Sequence, residues 1–195
     1  MKFCSECAHP VSRLIPQDDN RLRDVCSNCG TIHYQNPKLV VGSIPLWFGE
    51  PDGEPRLLLC RRAIEPRRGY WTLPAGFMEN NETTSEAAAR ETAEEAGAHI
   101  RLHGLFSLFN VPSAHQVHLF YLATLVDLDY QAGIESLEVA MFAEQSIPWD
   151  EIAFPTITHT LEFLFADLAR QKTKPAEFGF HTMDLHKPMR LVQES

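Results

Sequence analysis

Long apolar runs and positive charge are both scarce in this 195-residue sequence. No stretch approaches 18 uninterrupted apolar residues, and the start, Met-Lys-Phe-Cys-Ser-Glu-Cys, has no apolar signal-peptide core. We therefore expect a soluble, cytoplasmic protein with no membrane partner. The 17 Lys and Arg residues against 26 Asp and Glu residues give a formal net charge of −9. Such a surface repels phosphate backbones, so nucleic acid is not an expected partner, and an anionic ligand would need local basic groups or a metal.

Residues 1–36 have almost no aliphatic core, yet they hold four of the five cysteines. The motifs Cys4-x-x-Cys7 and Cys26-x-x-Cys29 have the spacing of a zinc site with four thiolate ligands. In a reducing compartment such pairs favour a metal, with two disulfides or free thiols as the alternatives. Four thiolates leave no open coordination position, so this Zn²⁺ should be structural. Its binding should supply most of the folding free energy of the segment.

The composition changes after residue 36, which predicts a zinc ribbon at 1–36 and a larger domain at 37–171. Apolar runs there predict more strands than helices, in mixed order, which indicates an α+β fold. The predicted strands cover residues 39–48, 57–60, 99–108, 117–126 and 139–142, with a turn at 51–55 that makes the first two a hairpin. Pro45 suggests a sheet edge or a bulge. Residues 172–195 should be a tail packed on the body or on a partner.

Two helices are predicted after the first hairpin. Residues 83–96 are rich in Ala and Glu, open with a Thr83-x-x-Glu86 capping box and stop at Gly97, so both ends of this helix are marked. The second helix is predicted from apolar residues at helical spacing, namely Ile157, Leu161, Leu164, Phe165 and Leu168. Cys60, the fifth cysteine, lies in a predicted strand and is interpreted as a buried core thiol.

Three glutamates crowd the last two turns of the first predicted helix. Glu91, Glu94 and Glu95 stand at i, i+3 and i+4, so their side chains share one face. Like charges at this spacing cost about 0.2–0.5 kcal/mol per pair, and the negative end of the helix dipole adds to the repulsion. A solvated acidic face is one interpretation. A site for Mg²⁺ or Mn²⁺, which takes carboxylate oxygens and substrate phosphates, is the other.

The residues around these glutamates favour the metal site. Gly76, Glu82 and the run from Arg90 to Ala98 resemble the Nudix box, the signature of hydrolases acting on nucleoside diphosphates linked to another moiety. The resemblance implies a Nudix fold, a mixed sheet packed between helices, and Mg²⁺ held by Glu91, Glu94, Glu95 and the Gly76 carbonyl. It also implies a salt bridge between Arg90 and Glu82 that orients the box. Helical spacing alone lets Arg90 reach Glu86 and Glu94.

Other positions match the pattern less closely. Thr92 stands where the box usually has an aliphatic residue, which puts the packing of the helix in question but not the chemistry. Glu138 and Phe142 resemble a Glu-x-x-x-Phe segment that supplies a further metal-site glutamate in zinc-ribbon Nudix enzymes. A surface glutamate at a strand end is the alternative reading of Glu138. Glu135 competes for the same role and for that of general base.

A zinc ribbon followed by a Nudix box resembles two groups, the NADH pyrophosphatases and the plant-type FAD/ADP-ribose pyrophosphohydrolases. The resemblance to the second rests on segments 34–38, 71–76 and 135–138 and on the box. A Ser-Gln-Pro-Trp-Pro-Phe-Pro segment that is usual in the NADH group is absent, and residues 109–113 read Phe-Asn-Val-Pro-Ser instead. The expected reaction is therefore hydrolysis of FAD to FMN and AMP. ADP-ribose and NAD(H) are the alternative substrates, and a homodimer is possible.

Two residues are candidates for substrate binding. Phe77 directly follows Gly76 and is suited to stacking on a flat ring, although simple loop packing would also explain it. Arg62 lies in a cluster of arginines before the box, where a guanidinium can hold a diphosphate, and the other arginines are read as surface charges. A function of another class is a catalytically silent domain that senses nucleotides or a zinc-ribbon interaction module. An RNA-cap hydrolase would need a basic track that this acidic chain lacks.

Overall fold

The computed structural model describes residues 1–49, 53–170 and 178–186. The chain divides into two compact units, Met1–Pro37 and Lys38–Ser195. Within the described ranges, no helix combines the length and the apolarity that a membrane crossing requires.

The first unit is a small antiparallel sheet with the cysteines at its turns. Its strands, in sheet order, are β1 (Val11–Leu14), β2 (Arg23–Cys26) and β3 (Ile32–His33). Each Cys-x-x-Cys pair is closed by a backbone hydrogen bond, from Ala8 N–H to the Cys4 carbonyl at 3.0 Å and from Gly30 N–H to the Cys26 carbonyl at 3.0 Å. Both donors have a positive φ, which explains a glycine at position 30.

The described part of the second unit contains one mixed sheet, two α-helices and three short 3-10 helices. Its strands and α-helices in chain order are β4 (Lys38–Trp47), β5 (Arg56–Arg62), β6 (Trp71–Thr72), β7 (Ala75–Phe77), α1 (Thr84–Ala96), β8 (Ile100–Val111), β9 (Gln116–Leu125), β10 (Ser136–Phe142), α2 (Pro155–Arg170) and β11 (His181–Asp184). The main path of the sheet runs β10-β5-β4-β9-β8-β11, with β6 paired to β5 and β7 paired to β4. The β4–β9 and β8–β11 pairs are parallel and the others antiparallel.

The helices cover opposite faces of this sheet. Because side chains alternate along a strand, Val41 of β4 faces α1, where it packs with Ala87 and Ala88, while Ile44 faces α2 and packs with Leu161. The small alanines let α1 approach the sheet closely, and the larger residues of α2 fill the main core. The predicted α+β architecture, with a mixed sheet between helices, is confirmed.

The position of Pro45 differs from the expectation of an edge or a bulge. Strand β4 is central, and Pro45 pairs with Ala123 of β9 on one side. On the other side, β7 pairs with residues 40–42 and β5 only with residues 46–47. The Ser43 N–H points to that side, where it bonds the Pro74 carbonyl at 3.2 Å, and the Pro45 nitrogen points the same way. The proline therefore lies where neighbouring strands diverge and no ladder hydrogen bond is required.

Most predicted elements have the expected type with shifted bounds. The predicted hairpin is present as the antiparallel Leu46–Leu57 pairing, and Cys60 is a buried thiol, 1% exposed. The segment interpreted as a tail packed on the body or on a partner contains a strand that the sequence did not predict. Its residues 181–184 form β11 at the edge of the main sheet, beside β8. Residues 171–177 and 187–195 of that segment lie outside the described part of the chain.

Candidate active site

A cleft of about 1220 Å³ opens in the second unit on the side where the box residues lie. It is large enough for a dinucleotide, since small-molecule sites commonly span about 300–1000 Å³. Its lining includes most of the predicted site residues, namely Arg62, Gly76, Phe77, Arg90, Glu91, Glu94 and Glu95, together with Glu135.

Capping interactions at both ends fix where helix α1 begins and ends. Thr83 and Glu86 form a complete capping box, and Gly97, in the left-handed conformation, closes the C-terminus with a bond from its N–H to the Ala93 carbonyl. Thr92, which replaces the usual aliphatic residue of the box, is fully buried. Its hydroxyl donates to the Ala88 carbonyl at 2.7 Å and lies 2.6 Å from the Ser43 hydroxyl. The extra polar group is therefore paired, and the packing concern raised by the sequence is answered.

Glu95 is the most deeply placed of the three helix glutamates, 6% exposed. Its Oε2 accepts the Ala75 N–H at 3.0 Å. Burial, and to a lesser extent the nearby charge of Glu91, raises the pKa of Glu95 to about 7, although the Ala75 hydrogen bond acts in the opposite direction. The protein alone therefore does not balance the charge that Glu95 carries when ionised.

Glu91 is pressed against the backbone of Gly76. A Cβ at position 76 would overlap the Glu91 carboxylate, so the box glycine leaves room for the carboxylate. Arg90 Nη1 lies 2.7 Å from Glu91 Oε1. Burial still raises the pKa of Glu91, with the Arg90 contact opposing the shift.

Arg90 ties the loop before the helix to the box. Its Nε and Nη2 donate to the two carboxylate oxygens of Glu82 at 2.9 and 2.8 Å, and Nη2 also reaches the Phe77 carbonyl at 3.2 Å. The Glu82 carboxylate has its pKa lowered to about 2, chiefly by the hydrogen bond from Arg90. Glu94 is contacted at 3.0 Å, as helical spacing predicts. Glu86 is not among the contacts described for Arg90, because its carboxylate serves the capping box.

The carboxylates suit a hard divalent cation by their chemistry. All are oxygen donors on one wall of the cleft, and two of them are buried, which is the donor set that Mg²⁺ and Mn²⁺ prefer. They do not converge on one point here. Glu91 and Glu94 are turned toward Arg90, and Glu95 is turned toward Ala75. Binding a shared cation would require Glu91 and Glu94 to turn away from Arg90, and Glu95 to turn away from Ala75.

Glu135 enters the cleft from a loop that also covers the end of α1. The N–H groups of Gln131 and Gly133 donate to the Ala96 and Glu95 carbonyls at 2.9 and 3.0 Å. A Cβ at Gly133 would overlap the Glu94 carbonyl oxygen, so this loop is packed directly on the helix backbone. Glu135 therefore has its position set by the same helix that carries the box glutamates.

Glu138 is not brought together with the box. It follows a bulge in β10, half exposed, with Oε2 3.5 Å from Arg61 Nη1. It is not one of the residues described as lining the cleft, whereas Glu135 is. The bulge explains why a motif match could not decide between them, since it changes which side chains of residues 135–138 face the site.

The two predicted substrate-binding residues both line the cleft. Phe77 is 48% exposed, and Lys38 Nζ lies 4.8 Å from its ring centroid. Arg62 donates from Nε to the Pro66 carbonyl at 2.9 Å, and its guanidinium lies 5.1 Å from the Phe154 ring. Its charge lowers the pKa of Glu95, so Arg62 adds positive potential beside the box glutamates.

A polar group that the sequence did not single out lies on another part of the wall. Residues Gln116, His118 and Thr156 line the cleft and are hydrogen-bonded in series, with His118 at 2.8 Å from Gln116 Oε1 and 3.2 Å from Thr156 Oγ1. Burial lowers the pKa of His118 to about 4, so the ring is neutral at pH 7. The close spacing of His115 and His118 was the only sequence signal for this group, and of these two only His118 lies in β9.

The cysteines of the first unit form a second, separate site. All four Sγ atoms lie within 4.8 Å of one another, and the contacts Cys7–Cys26, Cys7–Cys29 and Cys4–Cys29 measure 3.4, 3.5 and 3.6 Å. Thiolates about 2.3 Å from a tetrahedral Zn²⁺ would lie about 3.8 Å apart. A disulfide needs about 2.05 Å. The buried residues of this unit are few, namely Cys4, Pro16, Asp24 and Cys26, so the cluster fits a structural zinc ribbon.

Two protein families match the chain, one over each of its two units. A family described as Nudix N-terminal matches residues 2–35, and one described as NUDIX domain matches residues 43–166. The crystal structure of a NUDIX hydrolase from Nitrosomonas europaea is similar to this chain, with 48% identity and a TM-score of 0.84 over 95% of this chain and 100% of that one.

Curated relatives match over shorter stretches. An ADP-ribose pyrophosphatase from Methanocaldococcus jannaschii is 28% identical over 48% of this chain and 57% of its own length. A NAD-capped RNA hydrolase NudC from Vibrio parahaemolyticus is 30% identical over 52% of this chain and 35% of its own length. The chain thus spans little more than half of the first relative and about a third of the second.

Proposed function

Because this chain belongs to the Nudix family, whose domain covers residues 43–166, we propose that it hydrolyses the pyrophosphate of a nucleoside diphosphate linked to another moiety. The observation that carries the proposal is the wall of four carboxylates, Glu91, Glu94, Glu95 and Glu135, in a cleft with room for a dinucleotide. A cation would stabilise these buried carboxylates in their ionised form, and a cation on such a wall would face the phosphates of a bound substrate.

Mg²⁺ or Mn²⁺ would supply Lewis acidity to the phosphoryl oxygens and lower the pKa of water. Glu91, Glu94, Glu95 and the Gly76 carbonyl would hold it. Arg90, fixed by Glu82, keeps the helix and the Gly76 loop in register and neutralises part of the acidic wall. Glu135 would accept the proton of the attacking water at its carboxylate, since the part of the chain described here gives that side chain no hydrogen bond. Arg62 would neutralise the diphosphate.

The finer proposal is that FAD is the substrate and that FMN and AMP are the products. It rests on the half-exposed Phe77 at the cleft. Lys38 covers one face of that ring, so an isoalloxazine or a base would stack on the other. ADP-ribose, named for one relative, and NAD(H) are the second candidates because they share the adenylate and the pyrophosphate.

A panel of dinucleotides tests both levels of this proposal. FAD, ADP-ribose and NADH are incubated with the protein and Mg²⁺, and the products are separated by chromatography. AMP release from at least one of them in the presence of Mg²⁺, with none in excess EDTA, is expected. Binding of a dinucleotide without release of AMP would indicate a silent nucleotide sensor or an interaction module. A kcat/KM for NADH or ADP-ribose tenfold above that for FAD would rule out only the flavin assignment.

Replacing Phe77 with alanine should weaken FAD binding while leaving the chemical step largely unchanged. Stacking of one ring contributes about 1 kcal/mol beyond its buried area, so KM should rise about five- to tenfold with kcat within about twofold. Steady-state kinetics on the parent, on Phe77→Ala and on a control variant measure KM and kcat separately. Phe48→Ala is the matched control, because Phe48 is similarly exposed and is not part of the cleft lining described here. An unchanged KM for every substrate would remove Phe77 from the site.

A further inference from the structure

The C-terminal strand brings new residues to the cleft. After β11, Leu185 and His186 belong to its lining, together with apolar residues of other elements such as Val111 and Phe154. No box residue lies in this segment, and the motifs that indicate the chemistry do not reach it. Because Leu185 is apolar, what it can contribute is contact with an apolar part of the substrate and not with the pyrophosphate.

The start of this segment is anchored to helix α2. Asp167 is buried, and its Oδ2 accepts the Gly179 N–H at 3.0 Å and lies 2.9 Å from His181 Nε2. The His181 ring stacks on Phe163, with centroids 4.5 Å apart and planes 8° apart, and lies 4.9 Å from Phe106. A buried carboxylate is costly without donors, so the hydrogen bonds to Asp167 select the position of this backbone.

The end of the segment is held by β8. Asn110 Nδ2 donates to Asp184 Oδ1 at 2.8 Å, and the Leu185 N–H donates to the Asn110 carbonyl at 2.8 Å. Alternation along the strand places His181, Met183 and Leu185 toward the sheet face that α2 covers, and exposes Thr182 and Asp184. Leu185 is thus held by two groups of hydrogen bonds at opposite ends of a four-residue strand.

We propose that Leu185 is a specificity-determining residue of the cleft, and that His181 positions it through Asp167. The inference rests on the proposed function, because the acidic wall fixes where the pyrophosphate lies. Leu185, Val111 and Phe154 all line the cleft and pack on the same core cluster, and apolar lining of this kind suits a planar ring and offers little to a sugar alone. The chemical class that it favours is a nucleotide whose second moiety ends in a planar ring.

The test compares binding and turnover of FAD, NADH and ADP-ribose by the parent chain, Leu185→Ala and Thr182→Ala. Leu185→Ala should weaken FAD and NADH about fivefold, in Kd and in KM, with kcat within about twofold and ADP-ribose nearly unchanged. Thr182→Ala, an exposed residue of the same strand outside the described cleft lining, should match the parent. Equal weakening of all three ligands would place Leu185 at the shared adenosine and overturn the proposal, as would no weakening of any.

Substitutions at His181 test whether its hydrogen bond to Asp167 positions Leu185. His181→Ala removes a donor to Asp167 and should reproduce the KM pattern of Leu185→Ala, although His181 is not described as lining the cleft. His181→Gln keeps an N–H donor and should recover part of the lost affinity. A His181→Ala chain with parent-like KM for FAD would show that the anchor has no such role. Equilibrium titration distinguishes failure of the proposed function from failure of the Leu185 proposal. A parent chain that shows no turnover would reject the proposed function, and the Kd values of the parent and the variants would still test the role of Leu185.

Discussion

Replacing Glu95 with glutamine is expected to lower kcat by about 100-fold or more. A carboxylate on the acidic wall contributes to holding the cation, and losing several kcal/mol of charge stabilisation on the phosphoryl group has an effect of that size. Gln keeps the shape and an oxygen for the Ala75 N–H, so the fold should be retained. Single-turnover and steady-state assays of AMP release with saturating Mg²⁺ measure the change.

The same substitution should stabilise the metal-free protein. Burial raises the pKa of Glu95 to about 7, against 4.5 for an ordinary glutamate, so above pH 7 the folded state holds a charge that the unfolded state solvates better. The advantage of Gln, about 1–3 kcal/mol in the free energy of unfolding, should be full above pH 7. It should shrink between pH 7 and 4.5 and vanish below, where Glu95 is protonated in both states. Urea unfolding in EDTA across this range measures it.

An exposed glutamate provides the control for both effects. Glu144→Gln changes the net charge by the same amount, on a residue outside the described cleft lining, and should alter neither kcat nor the pH dependence of stability. Full activity of the parent in excess EDTA, or of the variant with Gln at positions 91, 94 and 95, would rule out a cation held by these side chains.

Replacing Cys26 and Cys29 with serine is expected to abolish zinc binding and ordered structure in residues 1–37. That unit buries few residues, and a structural zinc site contributes on the order of 10–16 kcal/mol in small domains. The parent should hold roughly one zinc per chain after purification without chelator. Elemental analysis gives the zinc content, and amide hydrogen exchange over residues 1–37 gives the loss of order.

Cys60 distinguishes the zinc site from a general effect of removing thiols. Cys60 is buried in the second unit, and Cys60→Ala should leave the zinc content unchanged. Zn²⁺ added in place of Mg²⁺ should not support turnover, because the four-thiolate site has no open position and because Zn²⁺ favours four ligands, whereas Mg²⁺ is octahedral and keeps several waters. A parent chain without zinc, or with a disulfide between Cys4 and Cys29, would contradict the zinc ribbon.

The features predicted from the sequence are those determined locally. Helix α1 begins and ends where Thr83, Glu86 and Gly97 indicate, because caps act over three or four residues. The cysteine cluster follows from two short spacings. Strand bounds were predicted less well, since the predicted strand at 99–108 extends to Val111 through pairing with β9. That pairing joins residues distant in sequence, which periodicity alone does not reveal.

The features that were missed depend on long-range contacts. Strand β11 has the sequence His-Thr-Met-Asp, too short and too polar for a clear strand signal, and its position depends on Asp167 and on the β8 edge. Pro45 is typical of a sheet edge, but the divergence of β5 and β7 beside it cannot be seen in the sequence. The choice between Glu135 and Glu138 depends on a bulge, which shifts the register by one residue.

The loop that carries Glu135 restricts which insertions the chain can accept. The N–H groups of Gln131 and Gly133 donate hydrogen bonds to the last carbonyls of α1, and β10 begins at Ser136. Only two residues therefore connect the helix-bound part of the loop to the sheet. One residue inserted between Gly133 and Ser136 would separate Glu135 from the box glutamates by a distance comparable to a residue's length, about 3.3 Å. Related chains that conserve this chemistry should therefore keep residues 131–136 constant in number.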